Sequence, residues 1–128
     1  RNQFIAQDGA RLGLTVWPAA GTTNPEHVVV GVHGMNDYAN AFHMAAPYWA
    51  RHGVITYAYD QRGFGRSPNK GIWPEEELMR EDLRTAVTAS PSAVIVTPLS
   101  ATLELTLNLR RRFQSMASTI FQLFDDPR

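Results

Sequence analysis

The sequence predicts an α/β fold with a mostly parallel sheet and flanking helices, on three observations. His27–Val32 and Val54–Tyr59 are apolar or β-branched runs without polar alternation, as strands buried on both faces of a parallel sheet require. Between them, residues 41–51 carry Ala41, Phe42, Ala45, Ala46 and Trp49 at helical spacing, giving the strand, helix, strand order of a parallel crossover. A second helical pattern then leads into a third strand-like run at 94–97.

Taken in order, residues 4–6 and 12–17 read as two short strands, with Asp8-Gly9 as the hairpin signal between them. Residues 18–25 form a proline-bounded loop. The helix at 41–51 has Asn40 as its expected cap and Gly53 as its stop, with Pro47 weakening or bending it. Residues 60–71 are a glycine-rich loop. It feeds Pro74-Glu75-Glu76-Glu77, where proline and three carboxylates suit the positive first turn of a helix. That helix should run to Ala89, burying Met79, Leu83, Ala86 and Val87, until Pro91-Ser92 breaks it. Residues 102–110 alternate strictly, with Leu103, Leu105, Leu107 and Leu109 on one face, which predicts a half-exposed strand. Phe113, Met116, Ile120, Phe121 and Phe124 then predict a terminal amphipathic helix.

Composition narrows the function. The 128 residues are 44% hydrophobic and 10% aromatic, enough for one packed domain over 1–128, and they show neither internal repeat nor linker. Twelve basic and twelve acidic residues cancel, and the cations are dispersed apart from Arg110, Arg111 and Arg112, so nucleic acid is not an expected partner. No apolar run approaches the roughly 20 residues of a transmembrane helix. The absence of cysteine excludes thiolate zinc sites and cysteine nucleophiles and leaves the compartment open, cytoplasmic or exported. The chain begins at Arg1 rather than Met, so an upstream segment, an export signal included, is compatible with it.

Chemistry concentrates at 28–65. A buried strand running into His33-Gly34-Met35-Asn36-Asp37 sets flexible backbone at the carboxyl edge of a parallel sheet, where open α/β folds bind ligands. Glycine allows a sharp turn there, and the amides beyond it can face a cleft and stabilise an oxyanion. Simpler roles compete. His33 reads as a buried, hydrogen-bonded residue at a strand end before it reads as a base. Asp60 and Arg62 read as a local ion pair holding their loop, and Phe42, Trp49 and Phe64 as core or cleft lining. His27, His33, His43 and His52 with Asp37 and Asp60 match no metal-ligand spacing, and the dinucleotide pattern G-x-G-x-x-G is missing. Neither metal nor cofactor is therefore expected.

His33-Gly34-Met35-Asn36-Asp37-Tyr38, the helix after it, residues 57–67 and residues 73–86 together resemble the amino-terminal half of an α/β-hydrolase. The subgroup is the bacterial lysophospholipase or monoacylglycerol-lipase-like serine hydrolases, and the resemblance covers residues 4–87. It implies that the backbone N–H of Met35 is an oxyanion-hole donor, that His33 shapes this loop, that 60–67 is architectural, and that the substrate is a small ester or lipid-like molecule.

A serine hydrolase of this kind also needs a nucleophile elbow, G-x-S-x-G, and a later acid and histidine. The sequence has no G-x-S-x-G, no Gly after Gly71 and no His after His52. Ser100, in Pro98-Leu99-Ser100-Ala101-Thr102, has proline and threonine where the glycines belong and strand-like alternation after it, so it is not the expected nucleophile. The chain is therefore expected to be truncated or divergent after residue 87, through a shortened chain, omitted residues or a shifted reading frame. The alternative is a non-catalytic α/β module that binds a small molecule or interacts through its last strand and helix, which complete the sheet or pair with another chain.

Overall fold

The computed structural model describes residues 2–97. The expected strand at 102–110, the terminal helix and Ser100 lie outside the described residues.

The described elements are β1 (Gln3–Ile5), β2 (Arg11–Trp17), β3 (His27–Val32), a 3-10 turn (Ala39–Phe42), α1 (Ala45–Ala50), β4 (Val54–Tyr59), α2 (Glu76–Ala89) and β5 (Val94–Val96). The sheet order is β1-β2-β4-β3-β5. β3 is parallel to both β4 and β5, while β2 is antiparallel to β1 and to β4. The parallel centre thus carries an antiparallel edge made by the expected hairpin, and the sheet as a whole is mixed. At the hairpin, Gly9 takes φ +84°, and Asp8 Oδ1 accepts the Ala10 amide at 3.1 Å. A left-handed residue of this kind is what closes the turn without steric cost.

Period-2 geometry divides the continuous apolar run of β3 between two cores. Val29 joins Val54, Ala58 and Val94 beneath Phe42, Ala46 and Trp49. Val30 and Val32 join Leu12 and Tyr59 beneath Leu83 and Ala86 of α2. One helix therefore covers each face, which is why neither β3 nor β4 shows polar alternation. Gly31 fits the same plan, since a Cβ there would stand 2.7 Å from the Phe42 ring, so the aromatic ring lies directly on the strand.

Two local expectations differ from the structure. The helix expected over 41–51 is split into the 3-10 turn and the six-residue α1. Pro47 is the cause, because its ring would meet the carbonyl four residues back, at His43, and it is tolerated only in a first turn. Asn40 consequently sits inside the 3-10 turn, where its carbonyl accepts from the His43 amide at 3.0 Å, and it caps nothing. Gly53, at φ +78°, does end the segment. On α2 the buried side includes Asp82 together with Leu83 and Ala86, a charged residue that periodicity does not single out. Glu76 and Glu77 occupy the first turn and pair with Arg80, while Glu75 is the flanking N-cap.

Candidate active site

The site forms where β3 and β4 end side by side. The chain leaves β3 through His33 and Gly34, turns at Asn36 with φ +59°, and enters the 3-10 turn at Ala39. It leaves β4 through Asp60 and Gln61 into the loop containing Gly63 and Gly65.

His33 is fully buried, and both ring nitrogens are engaged. Nδ1 lies 2.7 Å from the Gly34 carbonyl, and the Gln61 amide donates to Nε2 at 2.8 Å. A backbone N–H can only donate, so Nε2 must be the unprotonated nitrogen and Nδ1 carries the hydrogen. Burial pushes the imidazole pKa below its ordinary 6.5, outweighing the opposing effects of the Gly34 carbonyl and the carboxylates of Asp60 and Asp37. His33 therefore has no free lone pair with which to serve as a base. A histidine whose folded pKa is depressed adds stability above pH 6.5 and loses it as acid protonates the unfolded chain first. Imidazole 15N spectra of the folded protein should show a neutral Nδ1–H tautomer at pH 6, and folding stability should fall with acid below 6.5. A ring that titrates at its ordinary value would contradict this assignment.

Asp60 is also fully buried and organises the neighbouring loops. Oδ1 accepts the Ala39 amide at 2.8 Å, and Oδ2 accepts the Arg66 amide at 2.9 Å and Arg66 Nε at 3.1 Å. Its own N–H donates to the Gly13 carbonyl at 2.8 Å. Ser67, also buried, donates its hydroxyl to the Asp60 carbonyl and accepts the Gly13 amide at 3.1 Å. Gly13 and Gly65 make room for the carboxylate, since a Cβ on either would stand 2.6 or 2.5 Å from Oδ2.

The expected pairing of Asp60 with Arg62 is corrected by this geometry. Arg62 turns the other way and forks twice, to Asp82 through Nε and Nη2 at 2.7 and 2.8 Å, and to Asp8 through Nη1 and Nη2 at 2.7 Å each. It ties the loop after β4 to α2 and to the hairpin. These bonds, Asp82 foremost, raise the Arg62 pKa, and the Arg62 fork holds the Asp8 carboxyl down at about 2. Asp60 takes Arg66 instead, the residue six positions on, because Gly63 (φ +83°) and Gly65 (φ +52°) fold the loop back onto its start.

Met35 stands at the outer part of the β3 loop with its side chain 69% exposed. None of the turn and loop hydrogen bonds among the described residues uses its amide. Tyr38, Ile72 and Trp73 are exposed as well, and Phe64 bridges His33 and Trp73 by edge-to-face contacts at 5.4 and 6.0 Å. Phe42 and Trp49 belong to the core. Among the described residues there is no group of three or more His, Asp or Glu side chains fit to hold a metal, and no helix is long and apolar enough to cross a membrane. Gln61 and the Ala39 amide had no sequence signal of their own. Their bonds span 28 and 21 positions, and only the glycines that fold the loop hinted at such closeness.

A sheet covered by a helix on each face, with the loop beyond β3 at the carboxyl edge, is an open α/β fold, and its relatives make it an α/β-hydrolase. The chain belongs to the serine aminopeptidase S33 family, whose pattern matches residues 23–99, from the loop before β3 through β5. It is 34% identical over 87 residues to a monoacylglycerol lipase of Mycolicibacterium smegmatis, an alignment covering 67% of this chain and 30% of the lipase. Among solved structures it resembles a monoglyceride lipase from Saccharomyces cerevisiae (TM-score 0.61, 23% identity, 75% of this chain and 34% of that one). It also resembles the esterase Est1E from Butyrivibrio proteoclasticus (TM-score 0.63, 17% identity, 76% and 41%). The chain thus spans about a third of the length of the relatives it matches.

Proposed function

We propose that these residues supply the oxyanion-hole side of a serine ester hydrolase acting on small lipid-like or other carboxylic esters, with 1–128 part of one catalytic domain. The observation that carries this reading is the Met35 amide, which takes part in no turn or loop hydrogen bond among the described residues and sits on a loop held at the carboxyl edge of the sheet. In ester cleavage a serine hydroxyl, giving its proton to a general base that later passes it to the leaving alcohol, adds to the ester carbonyl, whose oxygen becomes an oxyanion. The Met35 N–H donates to that oxygen, and stabilisation of this kind is worth roughly 10²–10³ in rate per donor. The C–O bond to the alcohol then breaks, and water later releases the acyl group from the serine. Exposed apolar side chains on the loops after β3 and β4, Met35, Tyr38, Ile72 and Trp73, suit an acyl chain, in keeping with the lipase relative. His33 is fully hydrogen-bonded and Ser67 is buried within the Asp60 network, so in this reading neither is the base or the nucleophile, and the triad is supplied from outside residues 2–97.

A fluorophosphonate probe tests this. The 128-residue chain should stay unlabelled, while a longer chain carrying the same residues should be labelled on a serine outside 2–97. A label on Ser67, Ser90 or Ser92, or an unlabelled longer chain, would overturn the reading.

A further inference from the structure

The loop that carries Met35 is fastened at both of its ends, and by adjacent residues of one strand end. At the start, the Gln61 amide holds His33 Nε2 at 2.8 Å and the Gln61 side chain donates to the His33 carbonyl at 2.7 Å. At the far end, Asp60 Oδ1 holds the Ala39 amide at 2.8 Å. Between these points the segment's own hydrogen bonds include His33 Nδ1 to the Gly34 carbonyl at 2.7 Å and the Tyr38 amide to Asp37 Oδ1 at 2.9 Å, with Asn36 in the left-handed region at φ +59°.

We infer that Asp60 and Gln61 are positioning residues that hold the Met35 amide in its working orientation by pinning both ends of its loop. The inference rests on the proposed role of Met35. A short segment containing glycine has many backbone states, and fixing its ends removes most of them before any substrate arrives. An oxyanion donor is effective when it needs no reorganisation at the moment of reaction. The Asp60 pocket is built to this end. Gly13 and Gly65 leave no room beside the carboxylate, and Arg66 compensates its charge from the outer side, so Oδ1 is left to the loop. An aspartate serving only its own loop would need Arg66 and no residue 21 positions away.

The test uses Gln61→Met, which keeps side-chain length and the backbone N–H to His33 Nε2 but removes the side-chain donor to the His33 carbonyl, and Asp60→Asn as a second variant. Backbone 15N order parameters at Met35 and Asn36 should drop from about 0.85 to below about 0.6 in the full chain, with Val30 and Tyr57 unchanged. In a longer chain that the fluorophosphonate probe labels, hydrolysis of p-nitrophenyl butyrate by the same variants should lose roughly 10- to 100-fold in kcat at constant KM, the size expected of a misplaced catalytic group. Order parameters unchanged in both variants would overturn the inference, as would a loosened loop with full kcat. The order parameters report pinning whatever Met35 does. The Met35 role is read separately, from the probe reaction of a chain lacking that N–H, so the two failures are distinguishable.

Discussion

Gly65→Ala should be among the most damaging single-methyl changes in the described part of the chain. At φ +52° an L-residue is strained, and its Cβ would stand 2.5 Å from Asp60 Oδ2, 2.6 Å from Cγ and 3.0 Å from the Tyr38 Cβ. Left-handed backbone costs about 1–2 kcal/mol for an alanine, and overpacking adds about 1–3 kcal/mol. The obstacle is a buried carboxylate with three donors, so it cannot swing aside without abandoning the Ala39 or Arg66 amide. A loss of about 3 kcal/mol in urea unfolding is expected. Gly53→Ala is the control, because Gly53 has φ +78° and nothing within 4 Å of the added methyl. It should lose only the conformational part. Equal losses at the two positions would show that the Asp60 pocket is not tightly packed.

Arg62→Met has the second large effect, through the charge it leaves behind. Asp82 is 2% exposed and receives two bonds from this guanidinium. Removing one partner of a buried ion pair costs about 3–5 kcal/mol, because the other charge stays buried without compensation. The loss should shrink as pH falls. A carboxylate buried without a counter-charge favours its neutral form, so acid relieves the folded variant. Arg62→Lys should fall between, since an ammonium cannot fork to Asp82 and Asp8 at once. Asp82→Leu combined with Arg62→Met should recover much of the loss. A pH-independent loss would contradict this account of Arg62.

How much of this was legible in the sequence follows from what each element depends on. β3, β4, β5, α2 and the hairpin were readable because local pattern and turn chemistry decide them. α1 was misjudged in extent, since apolar spacing continues through Pro47 while the backbone cannot. The strand end at His33 and the glycine loop after β4 were readable as neighbouring loops at the carboxyl edge of the sheet, where the site is proposed. The partners did not show. Asp82 reads as an ordinary polar helix residue until Arg62 is seen folding across to it. Arg62 stood nearer to Asp60 in sequence than Arg66 does, yet glycine turns rather than proximity choose the pair. The fastening of the Met35 loop depends on contacts between residues far apart in the chain, which one sequence cannot display.

In the proposed reading the Met35 N–H donates to the oxygen of the reacting carbonyl. The most direct measurement replaces Met35 by its α-hydroxy acid analogue, exchanging N–H for O with the side chain unchanged, in a chain that the fluorophosphonate probe labels. The rate of labelling should fall roughly 10²- to 10³-fold with the folded structure intact. An unchanged rate would contradict the account.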